Sequence, residues 1–388
     1  MEKENARIDV ADVLRGLSVL GITLLHSIEH YNFYSFPSEQ LFTWLPFTDS
    51  VIWNSLFFTF SNKAYAIFAL LFGFSFFIQD DNQRRRGNDF RLRFLWRLLL
   101  LFLIGQINAM FFTGEILVMY SLIGIILVLT CRLSTKTVFF IAAIFMLQPA
   151  EWIKVIYASL HPEFIPGENL SSFYFAEAFK VQTSGTFFET IKMNLYEGQL
   201  SSLTWAWENG RIFQTASLFM LGMLAGRERL FIYSDSTMRL WLKILAFALI
   251  CFFPLKGLQS MLPEYISNKA VMEPLGRILG SLANFSFMLL LVVGVLVAFY
   301  HTSLKKFFMK LTPYGKMSLT NYIGQSVIGS MFFYNWGFGM YKHMGITFSV
   351  LFGVVLVLAQ WAFCSWWMNR HNHGPLEGLW KKLTWINK

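Results

Sequence analysis

Apolar runs long enough to cross a hydrocarbon core of about 30 Å, which takes roughly 20 helical residues, recur along the whole sequence. Ten such runs are expected, at 13–32, 52–78, 94–112, 115–131, 137–157, 211–227, 240–258, 276–300, 317–335 and 346–368. Composition agrees, since 55% hydrophobic and 18% aromatic residues with only 14% charge over 388 residues lie outside the range of soluble domains. The fold class that follows is all-α, a polytopic membrane helix bundle of about ten transmembrane helices. No linker or low-complexity stretch divides it, so residues 1–388 read as one helical domain.

Short cytoplasmic loops retain Lys and Arg, and this fixes the expected orientation. With the N-terminus inside, Lys3, Arg7 and Arg15 fall on the cytoplasmic side. The same side collects Arg84, Arg85, Arg86, Arg91, Arg93 and Arg97, then Arg132 and Lys136, then Arg227, Arg229, Arg239 and Lys243. Lys305, Lys306, Lys310 and Lys316 follow, and Arg370, Lys381, Lys382 and Lys388 close the chain there. Both termini are therefore expected inside. The net charge of +9 needs no nucleic acid, because anionic lipid headgroups account for it. The first apolar run carries Arg15 and lacks a small-residue cleavage site, so it reads as a retained helix rather than a signal peptide. Cys131, Cys251 and Cys364 sit in separate runs and suggest neither a disulfide framework nor a zinc site. The HNH at 371–373 lacks further ligands at suitable spacing, and no metal is expected.

Residues 158–210 break the pattern. They are too polar to span, face outward in this topology, and mix aromatic with charged residues as short interfacial helices do. This external subregion either caps a cavity or packs on the outer surface.

The stretch RGLSVLGITLLHSIEH, residues 15–30, places ionisable groups inside an apolar helix. Arg15 and His26 are eleven residues apart, about three turns, so they share one face roughly 16 Å apart along the axis. Such groups are costly in a membrane and usually face a bundle interior or a wet cavity. The structural alternative has Arg15 reaching to headgroups and His26 bonding a neighbouring helix.

This Arg–His spacing resembles the first helix of the transmembrane acyltransferases, including sugar and polysaccharide O-acyltransferases, where the histidine is the presumed catalytic residue. DVLRGLSVLGI, FALLFGFSFF (68–77), RLRFLWRLLLLFLIGQIN (91–108) and GEILVMYSLIGI (114–125) resemble one branch, the YeiB-like family of bacterial membrane proteins. LTPYGKMSLTNYIGQS (311–326) and GPLEGLWKKLTW (374–385) are the most specific parts of that resemblance. YeiB-like chains often carry Asn where His26 stands and usually Trp where Gly378 stands. The resemblance implies a multi-pass protein of the bacterial inner membrane.

An acyltransferase of this kind needs a basic cytoplasmic mouth for the donor's phosphates and a base near the acceptor. Arg93 and Arg97, one turn apart, are the expected donor-binding pair, because Arg offers bidentate phosphate contacts. The alternative for the run 84–97 is plain positive-inside charge. His26 is the expected base, or transiently carries the acyl group. Glu115 either orients that imidazole or caps the next helix. Lys63 either neutralises Glu115 or anchors a substrate oxyanion. Arg211, with Gln214 on its face, suits an acidic or sugar acceptor. Asn321, Tyr322 and Gln325 fall in the signature of the ninth span; Asn321, with Arg15, is counted among the substrate- or donor-binding candidates, the alternative being that these amides join helices.

The function expected is transfer of an acyl group from acyl-CoA or acetyl-CoA to a hydroxyl or amine acceptor, a small molecule, glycan or lipid-linked substrate. No cofactor is expected to be tightly bound, and homo-oligomerisation is open. The alternative is a transporter or exporter of a small molecule or lipid-linked substrate, since ten spans and a polar stripe serve permeation equally. The absence of matched Gly/Pro-broken halves weighs against it.

Overall fold

The computed structural model describes residues 8–33 and 42–386. Lys3, Arg7 and Lys388, three of the charges that orient the chain, lie outside them. Among the described residues every regular element is helical, as hydrocarbon demands, because a helix satisfies each amide within its own segment. Among the described residues six helices are long and apolar enough to cross a membrane, or seven if one bent pair counts as a single crossing. The chain is thus an all-helical membrane protein.

The first half runs α1 (Asp9–Glu29), α2 (Leu45–Phe60), α3 (Lys63–Arg84), α4 (Arg91–Ala109), α5 (Leu117–Ile123), α6 (Ile125–Thr130), α7 (Thr135–Met146) and α8 (Pro149–Leu160). Next come α9 (Leu170–Ser184), α10 (Phe187–Met193), a π turn (Asn194–Gly198), α11 (Gln199–Glu208) and α12 (Arg211–Arg227). The last part is α13 (Asp235–Tyr265), α14 (Lys269–His301), α15 (Lys305–Met309), α16 (Thr312–Lys316), α17 (Ser318–Phe333), α18 (Ile346–Met368) and α19 (Pro375–Thr384).

Each of the ten expected runs falls on helix, yet several differ in form from one straight span. The run at 52–78 is interrupted between α2 and α3, where Asn62 takes a left-handed φ of 64°. That at 137–157 bends by 45° between α7 and α8, because Pro149 has no amide to continue the helix and constrains the residue before it. The run at 115–131 divides at Gly124 into α5 and α6. At 17 and 16 residues, α12 and α17 reach only about 25 Å, short of a full crossing by length alone.

Short α12 is nevertheless central, and packs against α3 and α7. A Cβ at Gly73 would stand 1.9 Å from the Phe219 carbonyl oxygen, and one at Gly222 1.8 Å from that of Leu70. The two backbones therefore touch through reciprocal glycines, as membrane helices do where dispersion must replace a hydrophobic driving force. Helix α1 is buried along its length, from Val10 to Ile28. Its first turns meet α16, where a Cβ at Gly315 would lie 1.8 Å from the Asp12 carbonyl.

The helices α9 to α11 form a cap. Asn194 Nδ2 donates to the Met110 carbonyl at 3.0 Å, Ser202 Oγ donates to that of Thr113, and Asn335 N donates to that of Gln182 at 3.0 Å. These bonds fasten the cap over the loop between α4 and α5 and over the end of α17. A capping box at Thr186 and Glu189 starts α10.

Candidate functional site

A cavity of about 1200 Å³ enters the bundle from the basic end. The first turns of α1, the last turns of α3, Arg97 of α4, Arg229, Lys305, Lys316 and part of α19 line its mouth. Eight Lys and Arg face it against four Asp and Glu, so its potential is positive. Arg15 lines it too, held by Asp12 at 2.5 Å and by Ser75 Oγ at 2.7 Å. The inner end closes on Ile22, Tyr65, Ile116, Tyr120 and Tyr322.

Immediately behind that end stands His26, fully buried. Its Nε2 is hydrogen-bonded to the Tyr65 hydroxyl, and its Nδ1 faces Gln325 Nε2 at 3.4 Å. Tyr120 donates to the Tyr65 carbonyl at 3.0 Å and fixes the first turn of α3. Tyr322 reaches the Ile116 amide at 3.4 Å. On the far side the rings of Phe112, His30 and Tyr31 pack around the imidazole at 4.6, 5.3 and 5.9 Å. Tyr31, Phe112, Phe333 and Tyr334 are all fully buried, so an aromatic plug separates His26 from the capped face. Within this layer His30 Nδ1, Asn108 Oδ1 and Gln325 Oε1 are buried without a hydrogen-bond partner among the described residues, an arrangement that a ligand hydroxyl would complete.

The expected residues divide into those gathered here and those placed elsewhere. Arg15 and His26 both turn toward α3, bonding Ser75 and Tyr65 of that helix, but only Arg15 lines the cavity, while His26 stands behind its inner end. Glu115 does not touch His26. Its carboxylate accepts from Asn108 Nδ2 and from the Leu117 amide, so it caps α5, and Tyr65 occupies the place proposed for it. Nor does Lys63 pair with Glu115. It lies 5.8 and 5.4 Å from the ring centroids of Phe58 and Phe287 and lines a second cavity. Arg211 bonds Gln214 Oε1 at 2.6 Å and lies over Trp205. Asn321 joins helices, donating to the Tyr314 carbonyl at 3.0 Å and accepting from Cys364 at 3.3 Å.

Arg93 and Arg97 hold the C-terminal helix. Arg93 donates to the Thr384 carbonyl at 2.9 Å and lies over Trp385, while Arg97 stacks 3.5 Å from the Trp380 centroid. Only Arg97 of the two lines the cavity. Glu377 fastens the other end of α19, accepting from the Leu319 and Thr320 amides at 2.8 and 2.9 Å. Gly378 has space for a larger residue, since a Cβ there would meet only His373, at 3.7 Å. Elsewhere in the basic run, Arg91 binds Asp89 at 2.6 Å and holds its carboxyl well below the usual carboxylate range, while Arg85 and Arg86 face the cavity.

Residues 225–387 match the model of a family described as a protein of unknown function (DUF418). Over 99% of its length the chain is 24% identical to the uncharacterized protein YxaH of Bacillus subtilis, covering 95% of that relative. It is 23% identical, over 98% of its length, to an uncharacterized 39.9 kDa protein in the amylase 3' region of Bacillus acidopullulyticus, again covering 95%. A segment of 79 residues, 20% of each chain, is 32% identical to the uncharacterized protein YeiB of Escherichia coli. These likenesses support the YeiB-like resemblance. No solved structure matches.

Sequence reasoning missed Tyr65. In KAYAIFALL it is one aromatic among apolar residues, and its pairing with His26 spans 39 positions. No local spacing signals it.

Proposed function

We propose that this chain is a multi-pass acyltransferase of the bacterial inner membrane, moving an acyl group from a cytoplasmic acyl-CoA-type donor to a hydroxyl or amine acceptor. The observation that carries the reading is the single cavity leading from a basic mouth to the His26–Tyr65 pair. Its volume exceeds the roughly 300–1,000 Å³ of sites for drug-sized ligands, which suits a long phosphorylated donor. The positive mouth favours phosphates, and the apolar inner walls favour a thioester. Ten crossings with both termini inside agree with a mouth on the positive-charge side, four short or broken segments, α5–α6, α7–α8, α12 and α17, bringing the six longer spans to that count.

In this reaction the acceptor oxygen or nitrogen bonds to the thioester carbonyl carbon as the carbon–sulfur bond breaks. Proton flow runs from the acceptor to Tyr65, whose own proton passes to His26 Nε2, and then to the departing thiolate. That direction requires the imidazole to carry its resting proton on Nδ1, with the Gln325 amide oxygen turned toward it. Amide orientation is an assignment between two nearly identical shapes, and the unpartnered Oε1 of Gln325 makes the turn inexpensive. Transporters need an exit on the opposite side, whereas here the plug of Tyr31, Phe112, Phe333 and Tyr334 lies across it.

The test is incorporation of labelled acetyl groups from acetyl-CoA into inverted inner-membrane vesicles containing wild type or His26→Asn. Wild type should label endogenous acceptors, and the variant should do so at least about a hundredfold more slowly. Equal incorporation removes the reading.

A further inference from the structure

The second cavity, about 710 Å³, lies between α2, α3, α13 and α14. Lys63 and Lys256 line it together with the polar side chains of Asn54, Asn62, Gln259 and Asn284, and no carboxylate does. Lys63 is only 8% exposed, and no hydrogen bond or ion pair engages its ammonium among the described residues. The charges that act on it are those of Lys256 and Arg211, both positive.

An ammonium group at membrane depth without a counter-ion is costly and marks a functional position. Two aromatic faces, Phe58 and Phe287, supply part of the compensation as cation–π contacts. The first turn of α3 adds a second source of positive potential, because no side chain caps its free amides and Ser61 and Asn62 at that end line the cavity. On α13, the residues flanking the cavity expose Ile250 by 71% and Phe253 by 68%, a surface suited to acyl chains.

We propose that this cavity binds the phosphate of a membrane lipid, with Lys63 and Lys256 as its two cationic contacts. Two ammonium groups, amide side chains and a helix start together offer more donors than a carboxylate can accept, and match the oxygens of a phosphate. The occupant enters sideways from the bilayer, its chains along α13. Lys63 and Tyr65 stand two residues apart on the first turn of α3 and so leave the helix on nearly opposite sides, which puts α3 between the bound headgroup and the His26–Tyr65 pair, in line with the separate cavities the two residues line. The binding site holds independently of the acyl-transfer reading, whose failure would leave it intact.

Purified protein in detergent is titrated calorimetrically with dihexanoyl phosphatidic acid, dihexanoyl phosphatidylglycerol, dihexanoyl phosphatidylcholine and inorganic phosphate. The two anionic lipids should bind and raise the unfolding midpoint, phosphatidylcholine should bind at least about tenfold more weakly, and inorganic phosphate more weakly still. Lys63→Met and Lys256→Met should each weaken anionic-lipid binding about tenfold or more, as loss of a charged hydrogen bond does. Without lipid, Lys63→Met should melt no lower than wild type, because the uncompensated charge is gone. Lys256, at the exposed edge, supplies the second variant if Lys63→Met folds poorly. Unchanged affinity in the variants, or equal binding of phosphatidylcholine, overturns the site. Inorganic phosphate binding as tightly as the lipids overturns the lipid assignment.

Discussion

Replacing Tyr65 by Phe removes one oxygen from the inner end of the cavity and leaves ring packing almost unchanged. Two effects follow from the geometry. His26 Nε2 loses its partner while fully buried, which costs about 1–3 kcal/mol of stability and should lower the unfolding midpoint. If the tyrosine relays the proton, turnover should also fall by about 10²–10⁴. Donor binding should persist, since the positive mouth and Arg15 are untouched. The informative comparison is a cycle of Tyr65→Phe, His26→Asn and the double variant, each assayed for labelled acetyl incorporation and thermal unfolding. Groups that act as one unit are not additive, so the double variant should be no slower than His26→Asn alone. For stability the matching double variant is Tyr65→Phe with His26→Leu, which should melt no lower than Tyr65→Phe alone, because replacing both partners by apolar groups strands neither. A Tyr65→Phe protein with wild-type turnover would refute the relay. Rate losses that multiply across the two sites would show that the residues work separately.

The clasp on α19 predicts a local effect: Glu377→Ala strips the Leu319 and Thr320 amides of their acceptor, so hydrogen exchange over 375–384 should quicken while α1 stays protected, and unchanged exchange there counts against the clasp. Topology is checked in a chain whose three cysteines are replaced, with Gly167→Cys or Arg86→Cys introduced. A membrane-impermeant thiol reagent added to intact cells should label position 167, where a Cβ meets nothing within 4 Å, and spare position 86. The reverse pattern inverts the orientation.

Much of the helical layout was legible because lipid makes hydrophobic length a direct structural signal. Every expected run fell on helix for that reason. Breaks were harder to see. The apolar length of 137–157 concealed the bend that Pro149 imposes through its missing amide, and nothing local marks Asn62 as left-handed, since it adopts that conformation to turn α2 into α3. Nor could hydropathy separate a full crossing from α12, whose 17 residues are surrounded by protein rather than lipid. The same limit governed Glu115 and Lys63. Each was recognised as an unusual charge at membrane depth, yet their partners, Asn108 and the Leu117 amide for one and two phenylalanine rings for the other, depend on how separate helices meet.

Arg93 and Arg97 illustrate where charge patterning stops. Their clustering correctly placed positive potential at one end of the bundle, and phosphate binding was the natural expectation for two arginines one turn apart. Their actual contacts lie nearly 300 positions away, on Thr384, Trp380 and Trp385. A planar guanidinium stacks on an indole and donates to a carbonyl at once, so the features that suit arginine to a phosphate suit it equally to anchoring an amphipathic helix. The consequence for the cavity is specific. Arg97 lines it while holding Trp380, which also lines it, so the mouth's charge and the seat of α19 share one residue. Loss of Arg97 would therefore disturb donor binding and α19 docking together, whereas loss of Arg93, outside the lining, would disturb docking alone. Weakened donor binding in an Arg93 variant thus reports a displaced helix, whereas lining cations outside the seat of α19, such as Arg86 and Arg229, report the phosphates directly.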